Sequence, residues 1–259
     1  MTGEMTKELA KEMSGKAALV TGAGSGLGRA VALMLARRGA HVCIVDIDAD
    51  RLAETAALWP SDAPAPLLHP ADLSDPDACA PAVVSAVEAF GRLDALCNVA
   101  GVIHLANTPE MPRAQWDRTM AVNLTAPFLL AQAAIPHLLE ADGAVVNVTS
   151  CAAFQGQAYT AAYCASKAGL ENLTKAMAME YIRRPIRINS VAPGGMMTNI
   201  AAGFVPPPGA EIDLIRRFSP LRGLVEVEDA AEQVCMLAGP RGRGFHGASI
   251  RIDAGITAG

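Results

Sequence analysis

Short apolar runs alternate with helical stretches from Lys16 almost to the end of the 259-residue chain. The run KAALVTG, from Lys16, predicts a strand. LGRAVALMLARRG, from Leu27, repeats apolar residues at the spacing of an amphipathic helix. HVCIVDID, from His41, predicts a second strand, and ADRLAETAAL, from Ala49, a second helix. APLLHPADL, LDALCNVAG, GAVVNVTS, IRINSVAPGG and ASIRIDAG complete the strand candidates. Helices fill the gaps at roughly 75–90, 113–140, 158–182 and 227–238. Strands alternating with helices of this length imply βαβ units, an α/β fold and a parallel sheet. Right-handed crossovers then place helices on both faces of that sheet.

No composition break marks a second domain, so residues 16–259 read as one domain behind an N-terminal extension, 1–15. That extension is charged, lacks the apolar core of a secretory signal, and reads as helical or frayed. No run reads as long and apolar enough to span a bilayer. One irregular stretch, 198–223, carries Pro206, Pro207 and Pro208 and reads as a substrate lid, with a plain solvent loop as the alternative.

Hydrophobic residues make up 51% of the chain and charged ones 18%, which supplies a large core and excludes a disordered chain. Aromatic residues are only 4%, which suits helix-on-sheet layers better than a β-sandwich. The formal charge is −5 and the basic residues are scattered, so no nucleic-acid footprint is expected. The six cysteines form no Cys-x-x-Cys pair, and the histidines show no metal-ligand spacing, so no metal is expected. Cysteines inside apolar runs behave as small buried hydrophobes. Reduced thiols in a cytoplasmic protein are the expectation.

The first strand-to-helix junction reads LVTGAGSGLGRAV. A Gly-x-Gly-x-x-Gly fingerprint does not fit, because its third glycine would fall on Leu27. Thr-Gly-x-x-x-Gly-x-Gly does fit, through Thr21, Gly22, Gly26 and Gly28, with Ser25 and Leu27 between them. Glycines there make a tight turn and let backbone approach a pyrophosphate at the N-terminus of the next helix. No Gly-Lys-Ser/Thr follows, so this is not a P-loop. Asp46 ends the second strand, before Ile47, where a carboxylate accepts hydrogen bonds from the adenosine ribose hydroxyls and repels a 2′-phosphate. No basic residue stands at Ser25 or directly after Asp46, so NAD is expected over NADP. Capping of a strand or helix is the other use of Asp46.

AAYCASKAGL, from Ala161, sets Tyr163 and Lys167 four residues apart, on one helix face. Alone, that spacing favours two amphipathic side chains on an ordinary helix over chemistry.

These motifs together resemble the short-chain dehydrogenase/reductase family, from about Lys16 to Thr257. They run in order: TGAGSGLG at 21–28, Asp72 and Leu73, NVAG at 98–101, Asn123 in VNL, Ser150 in NVTS, Tyr163 with Lys167, and PGGMMT at 193–198. The resemblance implies a Rossmann-like doubly wound sheet of seven parallel strands in a single domain. It implies a catalytic set of Asn123, Ser150, Tyr163 and Lys167, and a homo-oligomer, with a tetramer favoured. Asp72 and Leu73 should flank adenine, and Asn98, Ala100 and Gly101 should line the cofactor. Pro193, Gly194, Met196 and Thr198 should face its carboxamide end. Two positions depart from the family pattern: Val99 replaces a second asparagine, and Ala254 replaces a glycine after Asp253.

Tyrosine has a free pKa near ~10, and a nearby ammonium should lower it enough for Tyr163 to act as general acid and base. Ser150 would hold the substrate oxygen, with Thr149 a rival on sequence alone. Lys167 would also bind the nicotinamide ribose, and Asn123 would hold a relay water or be a backbone-bonded helix residue. The expected pocket is mostly apolar: Val102, His104, Ala152, Phe154, Gln157, Met196, Met197, Phe204 and Val205. It suits an apolar or alicyclic secondary alcohol or ketone. An NADP-dependent ketoacyl-type reductase and a non-catalytic nucleotide-binding protein are the competing readings.

Overall fold

The computed structural model describes residues 11–198, 204–220 and 222–258. Residues 1–10 of the extension, and 199–203 and 221 of the expected lid, lie outside the described residues.

Seven parallel strands form one sheet in the order β3-β2-β1-β4-β5-β6-β7. They are β1 Ala17–Thr21, β2 His41–Asp46, β3 Leu67–Pro70, β4 Ala95–Asn98, β5 Ala144–Val148, β6 Arg187–Pro193 and β7 Ser249–Ile252. The strands β1, β4 and β5 are buried on both faces, which is why their sequences are continuous apolar runs. The edge strand β3 alternates instead between half-buried and exposed positions.

Within the buried strands, alternate residues feed two separate cores. Ala18, Val20, Val42, Ile44 and Val146 join one, and Leu19, Cys43, Val45, Leu96 and Val145 the other. The first core is covered by α1 (Gly26–Arg37) and α8 (Val227–Ala238). The second is covered by α3 (Cys79–Phe90), α5 (Ala126–Glu140) and α6 (Ala161–Glu180). The remaining helices are α2 (Ala49–Ala57), α4 (Arg113–Met120) and a short α7 (Ile212–Arg216) inside the lid segment.

A π-turn, Ala121–Thr125, joins α4 to α5, so Arg113–Glu140 runs as one 28-residue helix. This corrects the expectation that no run is long and apolar enough to span a bilayer: the helix passes that test, with a window of mean hydropathy 1.3. Half of the window is buried inside the protein, where Leu130, Ala134 and Leu138 pack in the second core. Its apolarity belongs to that packing.

Residues 11–15 turn back onto the body. Met13 is fully buried, and Glu12 meets Arg38 at 3.2 Å and Arg241 at 3.0 Å, while Glu232 pairs with both arginines. All six cysteines are free, and five are buried as the apolar context predicts.

The chain order reverses between β1 and β4, the switch point at which open α/β sheets form a crevice beyond the carboxyl ends of their strands.

Candidate active site

A cavity of about 450 Å³ opens at that switch point. Its wall brings together Gly22, Ser25, Gly26, Leu27, Gly28, Asp46, Ile47, Asp72, Leu73, Ala100, Gly101, Val102 and His104. Ser150, Tyr163, Lys167, Pro193, Gly194, Met196 and Thr198 complete the expected set on the same wall.

The glycine turn is shaped by close contact. Gly22 has φ +66°, and a Cβ there would stand 2.9 Å from Ala100 Cα. A Cβ on Gly28 would fall 2.1 Å from the Gly22 carbonyl oxygen, so any larger residue would push α1 off the end of β1. Thr21 Oγ1 accepts from the backbone N–H of Val99 and of Ala100, each at 3.0 Å, which locks the turn to the end of β4. Ser25 is the N-cap of α1 yet makes no side-chain cap bond, so its hydroxyl and the first N–H groups of α1 face the cavity.

Asp46 accepts from Gly24 N at 3.0 Å and from Asp48 N at 3.1 Å. Helix capping falls to Asp48, which accepts from Asp50 N and Arg51 N at the start of α2. At the other end of that rim, Asp72 accepts from the Ser74 N–H at 2.9 Å and its hydroxyl at 2.8 Å, and pairs with Arg118 at 3.5 Å. Partial burial opposes ionisation of Asp72, but the Ser74 bonds and the Arg118 charge together hold its pKa below the usual value.

Ser150 and Thr149 end β5 side by side, and their bonds separate them. The Thr149 hydroxyl is 3.3 Å from Val191 O and 3.4 Å from Glu171 Oε2, in a buried network. The Ser150 oxygen accepts from Ala152 N at 3.1 Å, and its hydroxyl lies 3.9 Å from Cys151 Sγ and within reach of the Tyr163 phenol. Ser150 therefore turns its hydroxyl to the Tyr163 side of the cavity. Lys167 is buried on α6, donates to Val148 O at 2.8 Å, and holds its Nζ 5.8 Å from the Tyr163 ring centroid.

The structure corrects one electrostatic expectation. The Lys167 ammonium was to lower the Tyr163 pKa; instead burial pushes it up to about 12, with the Ser150 hydroxyl pulling the other way. Burial also drives Lys167 down to about 8. Desolvation is the largest cause at both groups.

Asn123 lies in the π-turn, a local geometry frequent at functional sites. Its amide bridges the backbone of the loop after β4, donating to Val102 O at 2.9 Å and accepting from Val102 N at 2.8 Å. Its amide also donates to Ser166 Oγ at 3.0 Å. The side chain is fully buried and not on the cavity wall. A Cβ on Gly101 would lie 3.4 Å from Asn123 Oδ1 and 3.5 Å from Lys167 Nζ, so the absent side chain leaves room where those two atoms converge.

Asn98 also stays off the wall. It pairs in register with Asn147 and donates to that side chain at 2.8 Å, which makes it a tie between β4 and β5 rather than a cavity residue. Of the residues expected to bind substrate only, Val102 and His104 line the cavity. Ala152 is buried in a 3₁₀ turn, Phe154 stacks on Arg251 at 5.0 Å, and Gln157 donates to Cys151 Sγ at 3.4 Å. Met197 and Val205 are 76% and 72% exposed, and Phe204 packs edge-on against Phe218. These positions followed loops whose paths the sequence does not define.

Some residues went unseen in the sequence. Arg51 and Arg118 reach the cavity rim from α2 and α4. Glu171, one turn beyond Lys167, is buried and accepts from Ser190 at 2.7 Å and Ser249 at 3.1 Å, tying α6 to β6 and β7. Tyr159 has φ +66°, and its hydroxyl accepts from Glu211 N of the lid segment at 2.8 Å. Its carbonyl accepts from Ala106 N at 3.0 Å.

A parallel sheet with a glycine cradle and a Ser–Tyr–Lys wall at its switch point defines a Rossmann-type nucleotide-dependent oxidoreductase architecture. A family model described as enoyl-(acyl carrier protein) reductase matches residues 22–257. The chain is 35% identical over 255 residues to 2,5-dichloro-2,5-cyclohexadiene-1,4-diol dehydrogenase of Sphingobium indicum, covering 97% of this chain and 100% of that one. It is 34% identical to cyclohexanol dehydrogenase of an Acinetobacter species, covering 98% and 99%. A short-chain dehydrogenase from Burkholderia cenocepacia, solved in complex with NADP, superposes with a TM-score of 0.85 at 33% identity, covering 95% and 99%. The chain belongs to the short-chain dehydrogenase/reductase family.

Proposed function

We propose that this protein is an NAD-dependent dehydrogenase that interconverts an apolar or alicyclic secondary alcohol and its ketone, with Tyr163 as general acid and base. The observation that carries this reading is the convergence of Ser150, Tyr163 and Lys167 on the cavity that also holds the glycine cradle. Relatives named for cyclohexanol and for a cyclohexadiene diol support an alicyclic substrate.

The residues present fit a dinucleotide. The contacts at Gly22 and Gly28 leave a bare backbone turn, and Ser25, Gly26 and Leu27 open α1 with free N–H groups suited to a pyrophosphate. Asp46 would hold the adenosine ribose, Asp72 and Leu73 would flank the adenine, and Lys167 would hold the second ribose. Ala100, Gly101, Pro193, Gly194, Met196 and Thr198 would line the nicotinamide half. The bound nicotinamide supplies the hydride acceptor or donor. Tyr163 takes the hydroxyl proton in oxidation and returns it in reduction. Ser150 donates its hydroxyl proton to the substrate oxygen as charge develops there. Lys167, beside Asn123 Oδ1 at Gly101, passes the proton to solvent through a water held by that pair.

Asp46 supports NAD, because its carboxylate occupies the place a 2′-phosphate needs. Arg51 at the same rim, and the NADP complex of the Burkholderia relative, favour the second reading, an NADP enzyme. Initial rates of cyclohexanol and cyclohexanediol oxidation with NAD⁺ and with NADP⁺ test both. Turnover with NAD⁺ supports the first, turnover confined to NADP⁺ the second, and turnover with neither overturns both.

The segment from Phe204 to Pro220 acts in this reading as a lid, held by the Tyr159 hydroxyl on Glu211 and by Asn107, which donates to Pro208 O at 3.2 Å. One neutral hydrogen bond is worth about 0.5–1.5 kcal/mol, a factor of roughly 2–12. Tyr159→Phe is expected to raise KM for the alcohol by about threefold and leave cofactor affinity alone. An unchanged KM would make the segment a plain surface loop. Exposed Phe128 on α5 and Met179 on α6 support a homo-oligomer built on the long helices, and light scattering is expected to read the mass of a tetramer.

A further inference from the structure

His104 lines the cavity, and its Nδ1 lies 3.1 Å from Thr119 Oγ1. Thr119 is fully buried, and its hydroxyl donates to Gln115 O at 2.7 Å. A threonine hydroxyl has one proton. With that proton committed to Gln115, the Thr119 oxygen can only accept from the imidazole, so the ring carries its proton on Nδ1. A neutral ring in this tautomer leaves Nε2 as a bare acceptor. No protein group among the described residues meets Nε2. Burial, and the Arg118 charge after it, lower the His104 pKa and keep the ring neutral at pH 7.

We infer that His104 selects the substrate: its Nε2 accepts a hydrogen bond from a second hydroxyl, so the preferred substrates are diols or polyols rather than mono-alcohols. The inference rests on the dehydrogenase reading of the cavity and adds a substrate class to it. The neighbouring charge of Arg118 disfavours an ammonium as the donor. A carboxylate finds no N–H at this ring, and the Arg118 guanidinium already meets Ser74 Oγ at 3.2 Å as well as Asp72. A hydroxyl is the donor that satisfies the acceptor without a charge to repel or to bury. The rest of that wall is apolar, with Val102, Ile103 and Val122 beside the ring's segment, which suits the carbon skeleton between two hydroxyls.

The test is kcat/KM for cyclohexanol against the 1,2- and 1,4-cyclohexanediols, in the protein as it is and in His104→Phe and His104→Gln. At least one diol is expected to exceed cyclohexanol by about fivefold to tenfold, the factor one hydrogen bond supplies. His104→Phe should bring that ratio to within about twofold of one. His104→Gln, which keeps a side-chain acceptor, should retain part of the preference, an outcome that loss of packing alone would not produce. A ratio near one in the unaltered protein, or a preference that survives His104→Phe, overturns the inference while cyclohexanol turnover leaves the dehydrogenase reading standing. Turnover of no alcohol overturns that reading and this inference with it.

Discussion

Tyr163→Phe is expected to lower kcat for alcohol oxidation by at least about 10³-fold, within the 10²–10⁴ range that a positioned acid or base contributes. The substitution keeps the ring and removes only the hydroxyl. Among the described residues, no backbone group depends on that hydroxyl, so the fold and the cofactor affinity should hold. NADH binding, followed by fluorescence, is expected to change by less than about threefold. The direction of the pH dependence follows from the same site. Burial pushes Tyr163 up to about 12, so the phenol holds its proton at neutral pH. Oxidation needs the phenolate, so its kcat/KM should rise with pH, approaching tenfold per unit below the operative pKa. Reduction needs the phenol and should fall as pH rises through the same value. A bound oxidised nicotinamide and a protonated Lys167 both favour the phenolate, so the operative value should lie below about 12. A flat profile for oxidation would remove Tyr163 from the proton transfer.

Asp46→Asn carries the second large effect. The amide keeps an oxygen for Gly24 N and removes the negative charge at the end of β2. A hydrogen bond to a charged group is worth about 1.5–3 kcal/mol, so kcat/KM with NAD⁺ should fall by roughly 10–150-fold. With NADP⁺ it should rise, because the repulsion is gone and Arg51 stands at the same rim. The expected swing in the NAD⁺/NADP⁺ ratio is at least about 100-fold, read from initial rates with both cofactors. An unchanged ratio would mean that Asp46 organises the loop and does not choose the cofactor.

The central strands were legible because sheet strands buried on both faces must be continuous apolar runs, as β1, β4 and β5 are. The glycine turn was legible because contacts as close as that between Gly28 and the Gly22 carbonyl admit no other residue. The π-turn left no mark, since one extra residue in a long apolar helix changes its period too little to see. Asn98 misled for a physical reason: its place in a motif was visible, but its register with Asn147 was not. Glu171 reads in sequence as a solvated helix carboxylate, yet Ser190 within β6 and Ser249 at the start of β7 enclose it. Arg51 and Arg118 lie on helices whose rotation over the cavity only the packed structure defines. The loop residues Phe154, Gln157, Met197 and Val205 show that nearness to a strand end in sequence does not bring a side chain to the cavity.

In the proposed reaction hydride passes directly from a substrate carbinol carbon, with Tyr163 handling the proton. Cyclohexanol deuterated at that carbon, oxidised with NAD⁺, tests it most directly through the mass of the reduced cofactor formed. One deuterium is expected in the NADH from the unaltered protein, and Tyr163→Phe, which still binds NADH, is expected to form it at least about 10³-fold more slowly. Unlabelled NADH, or label transfer at an undiminished rate in Tyr163→Phe, would contradict it.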